Sequence, residues 1–198
     1  MRRIRVGDWI ENPSAGLKVC FTVLPQETQG QRYEADFVFQ PLTGKGSAPL
    51  HLHPTIVETF IVITGQARYQ LQGKEYSAQP KEQIVLPSNF PHLHPWSVSS
   101  EELRMHLVAT STPADVDVLN RVINSVITGF GLARDGKTNK AGGQPRNLLQ
   151  GAVIAQYAAP GFYPAGFPIP LMRLLIGGLA RLGWAAGFRP TYDAYGEI

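Results

Sequence analysis

The fold is indicated most clearly by one stretch of the chain, Gly46-Ser47-Ala48-Pro49-Leu50-His51-Leu52-His53-Pro54-Thr55-Ile56-Val57-Glu58. Residues two apart on a β-strand point to the same side, so His51 and His53 can present two imidazoles to one point. A bend at Pro54 would reset this alternation and let Glu58, at the start of the next strand, face the same interior. Two imidazoles and a carboxylate suit a divalent transition metal. Surface histidines at strand ends are the alternative.

A second segment offers a further ligand, Pro87-Ser88-Asn89-Phe90-Pro91-His92-Leu93-His94. The two prolines predict a tight loop after a short strand, and His92 follows that loop directly. If the segment is extended, His94 faces the same way as His92. We interpret His94 as a partner of a metal ligand or an acid–base group near the metal. A loop-capping role, or an exchange with His92 as ligand, remains open.

The residues on either side of these segments predict short strands. In 32–40, for example, Tyr33, Ala35, Phe37 and Phe39 alternate with mostly polar residues. Further strands are predicted at 17–24, 57–64, 66–72, 84–86 and 102–109. Closely spaced short strands with turn signals between them indicate a sandwich or a barrel.

Together, the two segments resemble the two sequence motifs of the cupin superfamily. The first motif is a glycine, then His-x-His, four residues, Glu, six residues and Gly; here it corresponds to Gly46, His51, His53, Glu58 and Gly65. The second motif, Pro-x-Gly-x-x-His, is matched by its proline and its histidine, Pro87 and His92.

The second motif also departs from the family pattern at three positions. Lys81 stands where a glycine usually opens it, Asn89 replaces its inner glycine, and Trp96 stands where an Asn often closes it. Asn89 tolerates the left-handed backbone conformation better than most residues. None of these changes removes a ligand, although they weaken assignment to a particular subfamily.

The resemblance implies a mainly β fold, a cupin-type double-stranded β-helix or jelly-roll barrel, with a C-terminal α-helical extension outside the motifs. It implies one divalent transition metal (Fe, Mn, Ni, Cu, Co or Zn) held by His51, His53, Glu58 and His92. This ligand set is similar to that of cupin dioxygenases and leaves up to two positions of an octahedral metal open. It also implies a homodimer, since cupin barrels often pair.

We therefore predict a metal-dependent enzyme acting on a small organic molecule, an oxidoreductase of dioxygenase type. Glu58 would be both ligand and proton acceptor, and His94 an auxiliary catalytic group. A non-catalytic metal- or small-ligand-binding cupin and a cupin isomerase are the alternatives, because fold and ligands do not choose among reactions.

For several other side chains the sequence allows either a role in the site or a role in the core. Phe60, Val62, Tyr69 and Phe90 are candidate pocket walls or ordinary core residues. His106 lies on the last predicted strand, with the opposite parity to its apolar neighbours, and the sequence does not decide which of the two sets faces inward.

The composition changes near Pro113, which predicts a barrel domain over 1–112 and a helical extension over 113–198. Helices are predicted at 114–130, 148–158 and 171–186, with four prolines between 160 and 170 excluding regular structure. We expect the extension to pack on the barrel or on a second subunit. An interfacial membrane helix, combining leucines with Arg173, Arg181 and Trp184, is one alternative, and a lid over the barrel mouth is another.

Composition excludes several function classes. Residues 1–112 carry 10 basic and 10 acidic side chains, whereas 113–198 carry 8 and 5, which accounts for the net charge of +3. Without dense Lys/Arg clusters we predict no nucleic-acid partner.

The single cysteine, Cys20, sits in an apolar run and is interpreted as a buried hydrophobe. No apolar stretch follows the charged N-terminus, so we expect a cytoplasmic protein.

Overall fold

Eleven strands, three α-helices and two short 3₁₀-helices make up the computed structural model, which describes residues 3–198. The strands, in chain order, are β1 (Trp9–Asn12), β2 (Leu17–Val23), β3 (Arg32–Phe39), β4 (His51–Leu52), β5 (Ile56–Thr64), β6 (Ala67–Leu71), β7 (Lys74–Ala78), β8 (Gln83–Leu86), β9 (His92–Ser97), β10 (Leu103–Ser111) and β11 (Tyr163–Pro164). They form a six-stranded sheet in the order β1-β2-β3-β10-β5-β8 and a five-stranded sheet in the order β11-β4-β9-β6-β7. All pairings between these strands are antiparallel. The predicted two-sheet barrel with a helical extension is confirmed.

Alternation along the central strands builds the core. On β3 the side chains of Tyr33, Ala35, Phe37 and Phe39 are buried, as the sequence pattern predicted. On the neighbouring β10 the buried set is Leu103, Met105, Leu107 and Ala109. The antiparallel register places the two sets directly opposite each other, so both point into the same apolar interior.

The predicted strands at 17–24, 32–40, 57–64, 66–72, 84–86 and 102–109 each correspond to an observed strand within two residues at either end. The prediction that prolines exclude regular structure from 160 to 170 is wrong at two points, because a helix begins at Ile169 and because β11 pairs with β4. Proline is tolerated there because β11 is at the edge of its sheet, where a missing N–H breaks no ladder bond.

The three helices are α1 (Val116–Arg134), α2 (Leu148–Ala158) and α3 (Ile169–Ala185). Helix α1 begins at the side-chain cap Asp115 and buries Leu119, Ile123 and Ile127 in the core of the barrel. Helix α3 packs on α2, and only Ala180 and Gly183 of its residues are fully buried. Within residues 3–198, none of the helices combines the length and apolarity that crossing a bilayer requires.

Gly65 closes the strand β5 in a backbone conformation that only glycine adopts easily. Its φ is +74°, and a Cβ there would lie 2.7 Å from the carbonyl oxygen of Glu102. Gly73, in the turn between β6 and β7, has a φ of +80° but no heavy atom within 4 Å of the same position. A comparison of substitutions at the two glycines therefore distinguishes the energetic cost of a positive φ from the cost of a steric clash at Cβ.

We expect Gly73→Ala to lower the free energy of unfolding by about 1–2 kcal/mol, the cost of the left-handed conformation. Gly65→Ala should lower it by roughly 1–3 kcal/mol more, because the methyl group meets a backbone that cannot rotate away. Urea unfolding of the two variants measures the difference. Equal losses of unfolding free energy in the two variants would show that the close approach of Gly65 to Glu102 does not make this position more sensitive to a side chain.

Candidate metal centre

Five ionisable side chains meet at one point inside the barrel: His51, His53, Glu58, His92 and His94. One potential ligand atom from each lies within 4.8 Å of the others. The four residues predicted as ligands are each at most 2% exposed, whereas the side chain of His94 is 19% exposed. The structure therefore brings together every residue that the sequence assigned to the site.

Sheet register accounts for part of this convergence. Strands β4 and β9 pair with His51 directly opposite His92. His92 and His94 both lie on β9, two residues apart, and their rings are parallel within 3° with centroids 5.8 Å apart. Glu58 comes from β5 in the other sheet, so both sheets contribute to the cluster.

Asn89 shows how this chain manages without the inner glycine of the second motif. Its φ is +65°, in the left-handed region that asparagine tolerates. Its backbone N–H donates to the carbonyl of His53 (2.7 Å), and its side-chain amide donates to the carbonyl of Pro54 (3.1 Å). Asn89 thus ties the loop before His92 to the bend after His53.

Backbone carbonyls fix the orientation of three histidine rings. The Nδ1 atoms of His51, His53 and His92 lie 2.7, 2.6 and 2.9 Å from the carbonyl oxygens of Pro49, Gly161 and Phe90, respectively. A carbonyl can only accept, so each Nδ1 carries the proton and each neutral ring keeps a lone pair on Nε2. This arrangement is typical of histidines that bind metals through Nε2.

The Nε2 atoms point at one another and at a carboxylate. Nε2 of His51 and Nε2 of His53 are 3.1 Å apart, although neither ring has a proton left to donate there. Oε2 of Glu58 lies 3.6 Å from Nε2 of His53 and 3.4 Å from Nε2 of His92. Among residues 3–198, Nε2 of His92 has no hydrogen-bond partner although it is buried. The Nε2 lone pairs of three histidines thus converge on one point, and none of them receives a proton from another ring. A bound cation would fit this arrangement.

Burial sets the charge state of the cluster. Desolvation lowers the pKa of His53 to about 4, and it holds the pKa of His51 well below its ordinary value. Burial opposes ionisation of Glu58, but the neighbouring His94 and His53 outweigh it and hold the pKa of this carboxyl well below its usual range. At neutral pH two neutral imidazoles therefore face an ionised carboxylate, which suits a divalent transition metal.

His94 differs from the other histidines of the cluster. Its Nε2 is 2.9 Å from Oε2 of Glu58 and donates to that carboxylate, and its ring lies against Phe60 with centroids 5.5 Å apart. The segment is extended, since His94 lies on β9, and its ring faces the cluster together with that of His92.

The helical extension supplies two groups that sequence reasoning missed. The carbonyl of Gly161 accepts the Nδ1 proton of His53, and the ring of Phe162 stacks on His51 at a centroid distance of 4.7 Å and an angle of 24°. Strand β11 then holds this segment on β4. The sequence carries no signal linking positions 108 residues apart. The prolines of this segment indicated only that its structure is irregular.

Gly161 also needs its lack of a side chain. A Cβ at this position would lie 2.7 Å from the side chains of both Val118 and Val122 on α1. Glycine therefore lets the segment that carries the Gly161 carbonyl pack closely on α1.

The remaining candidates lie in different surroundings. Of the suggested pocket walls, Phe60 contacts the cluster, whereas Tyr69 stacks on Tyr76 and Val62 is buried in the apolar core. Phe90 is 40% exposed and contributes its backbone carbonyl instead.

His106 is on the outer face of the large sheet, opposite in parity to the buried residues of β10. Its Nδ1 lies 2.8 Å from Asp36, and its Nε2 lies 3.4 Å from Glu34. It takes no part in the cluster.

A cleft of about 500 Å³ lies elsewhere, between the end of α1, the start of α2 and the C-terminal residues. Its lining includes Arg134, Lys137, Gln150 and Tyr192 and none of the cluster residues. The chemistry of the cluster is therefore separate from this cleft.

Comparisons with known proteins place the cluster in a family context. Residues 38–109 match the family described as Cupin domain. A predicted oxalate decarboxylase from Thermotoga maritima is 15% identical, with a TM-score of 0.45, and the similarity covers 56% of this chain and 99% of that chain. The cupin domain of Cnp3 from Schizosaccharomyces pombe is 9% identical (TM-score 0.44; 52% and 68% covered). No curated protein is significantly similar to the chain in sequence.

A cupin-like protein from Thermotoga maritima is 21% identical, with a TM-score of 0.40, and covers 56% of this chain and 79% of its own. The matched segment contains all five residues of the cluster. The similarity of this chain to the cupin superfamily therefore lies in residues 38–109.

Proposed function

We propose that His51, His53, Glu58 and His92 hold one divalent transition metal and that the protein is a metal-dependent enzyme acting on a small organic molecule. The proposal rests on three histidine Nδ1–H groups, each of which donates a hydrogen bond to a backbone carbonyl. Each leaves an Nε2 lone pair aimed at the same buried point as the Glu58 carboxylate. His92 is favoured over His94 as the third histidine ligand, because the Nε2 proton of His94 is donated to Glu58.

A metal in this position would supply Lewis acidity and, with Fe, Mn or Cu, one-electron chemistry. Its identity is not determined by three imidazoles and a carboxylate, because Fe, Mn, Ni, Cu, Co and Zn all accept this set.

Proton movement is assigned to Glu58 and His94. Oε2 of Glu58 accepts a hydrogen bond from Nε2 of His94, and His94 is more exposed than the four buried members of the cluster. The Nε2–H of His94 stabilises the ionised form of the Glu58 carboxylate, so that Glu58 stays able to accept a proton from substrate. Removing the imidazole should slow proton transfer without removing a metal ligand.

For the reaction we propose addition of dioxygen to an enol- or catechol-like substrate. The support is the likeness of the ligand set to that of cupin dioxygenases. The aromatic rings of Phe60 and Phe162 against the cluster also agree with an apolar or aromatic substrate. They exclude water from the site, which strengthens electrostatic interactions inside it.

The metal assignment predicts about one divalent ion per chain after reconstitution. His51→Ala and His92→Ala should each weaken metal binding by more than about 100-fold, since even the loss of an outer partner of a ligand typically costs 10- to 100-fold. His106→Ala is the matched control, because His106 also contacts carboxylates but lies outside the cluster. Competition with a chromogenic chelator measures the affinities.

Equal metal content in the wild type, His51→Ala and His106→Ala proteins would contradict the metal assignment. Thermal unfolding of the metal-free forms shows whether a variant has lost its fold rather than its ligand.

The reaction class is tested by oxygen uptake with flavonols, catechols and β-diketones, using the Fe, Mn, Ni and Cu forms of the full chain. Uptake that His94→Ala reduces while its metal content stays unchanged is the expected result. Substrate conversion without oxygen uptake would reject the dioxygenase and favour an isomerase, and metal binding with no conversion would favour a binding protein.

Phe162 is expected to cover the metal from the side of the extension. Phe162→Ala should therefore speed extraction of the metal by a chelator several-fold while leaving its stoichiometry unchanged. Phe167→Ala, at a position 60% exposed on the same segment, is the control and should extract at the wild-type rate. Identical rates for all three proteins, measured by stopped-flow, would show that Phe162 does not limit access.

A further inference from the structure

Tyr33 is the one inward-facing residue of β3 that carries a polar group. The other side chains on that side of the strand, Ala35, Phe37 and Phe39, are wholly apolar, and Tyr33 itself is 6% exposed. Within residues 3–198 the Tyr33 hydroxyl forms no hydrogen bond with a side chain or with the backbone. A buried hydroxyl without a partner is destabilising, so a phenylalanine would pack at least as well there. The hydroxyl therefore indicates a partner that the protein itself does not supply.

The pairing of three strands places Tyr33 in line with Glu58. Tyr33 of β3 is opposite Ala109 of β10, and Ala109 is opposite Glu58 of β5. All three side chains are buried, so this row of residues faces the interior of the barrel. Because neighbouring strands are about 4.8 Å apart, the Cα atoms at the two ends of the row are roughly 10 Å apart. Between the two long side chains the row holds only the methyl group of Ala109.

Helix α1 covers the end of the barrel at which this row lies. A Cβ at Gly30, three residues before Tyr33, would lie 2.4 Å from the backbone nitrogen of Val116 at the start of the helix. The same helix packs on Gly161, whose carbonyl accepts the Nδ1 proton of His53. The first turns of α1 thus contact both the chain that enters β3 and the segment that orients a proposed ligand. Tyr33 and the cluster therefore lie at the same end of the barrel.

The charge of Glu58 acts on the phenol across the row. Burial raises the pKa of Tyr33 well above its ordinary value, and the negative charge of Glu58 raises it further. Both effects have the same physical cause, since a phenolate is disfavoured in an apolar interior and beside a charge of its own sign. The phenol therefore keeps its proton at neutral pH, and towards an anion it acts as a hydrogen-bond donor.

We propose that the hydroxyl of Tyr33 donates a hydrogen bond to an anionic oxygen of the substrate that lies beside Glu58 at the metal. This inference rests on the proposed function and deepens it, because it selects substrates that bring an enolate or phenolate oxygen to the site. A buried donor directed at such an oxygen stabilises its charge strongly, since water does not compete for the same lone pair.

Azide, a small anion that binds at open positions of Cu(II), tests this role without the natural substrate. The copper-loaded wild type and Tyr33→Phe proteins are titrated with azide, and the charge-transfer absorbance gives the dissociation constants. We expect Tyr33→Phe to hold as much copper as the wild type and to bind azide about tenfold more weakly, because hydrogen bonds to charged groups are the strong ones. In the metal-free state the variant should unfold at the temperature of the wild type or above it, because the hydroxyl has no protein partner to lose.

Tyr76→Phe is the matched control, because Tyr76 is 43% exposed on β7 and loses its hydroxyl through the same change. It should bind azide like the wild type. Equal azide affinities for the wild type and Tyr33→Phe, or a copper-loaded wild type that binds no azide, would overturn the role of Tyr33 while leaving the metal site in place. A lower unfolding temperature for metal-free Tyr33→Phe would give the hydroxyl a structural partner and would also overturn it. Absence of copper from the wild type would instead reject the metal site itself, and the role of Tyr33 with it.

Discussion

The structure of the site depends on hydrogen bonds between imidazole Nδ1 atoms and backbone carbonyls. Each of these bonds determines which nitrogen of a histidine keeps its lone pair, and three of them aim Nε2 atoms at one buried point. Without them the rings could rotate or exchange tautomers, and the converging lone pairs would be lost. The carbonyls come from the loop before β4, from the loop before β9 and from the segment before β11, so three distant parts of the chain must be in place before the site exists.

The barrel provides this precision because its register is rigid. His51 lies opposite His92 through a single pairing of β4 and β9, and Glu58 reaches the same point from the other sheet. Apolar residues of β3 and β10 belong to the close-packed interior of the barrel. Burial lowers the pKa values of His51 and His53, which keeps these two rings neutral and their lone pairs available while Glu58 stays ionised. Packing and electrostatics therefore support the same chemistry.

The extension has two different relations to this barrel. Residues 161–164 belong to the site, since the Gly161 carbonyl orients the ring of His53, the ring of Phe162 stacks on His51, and a two-residue strand pairs with β4. Helix α3, a few residues further on, contributes small residues to its internal contact and leaves its leucines outside. The boundary at residue 112 thus divides two patterns in the sequence, whereas the site includes residues from both sides of that boundary.

The sequence by itself determined the residues of the cluster, the barrel class and most strands within two residues, because ligand spacing and strand alternation are local patterns. It could not assign His106 to a face, since parity alone does not say which side of a sheet is buried. It also missed Gly161 and Phe162, whose role arises only when the chain returns to β4 after more than 100 residues. Tertiary structure decided the tautomers, the cover over His51 and the exposure of the α3 leucines. Each of these depends on which distant segment packs where, and no local pattern encodes that.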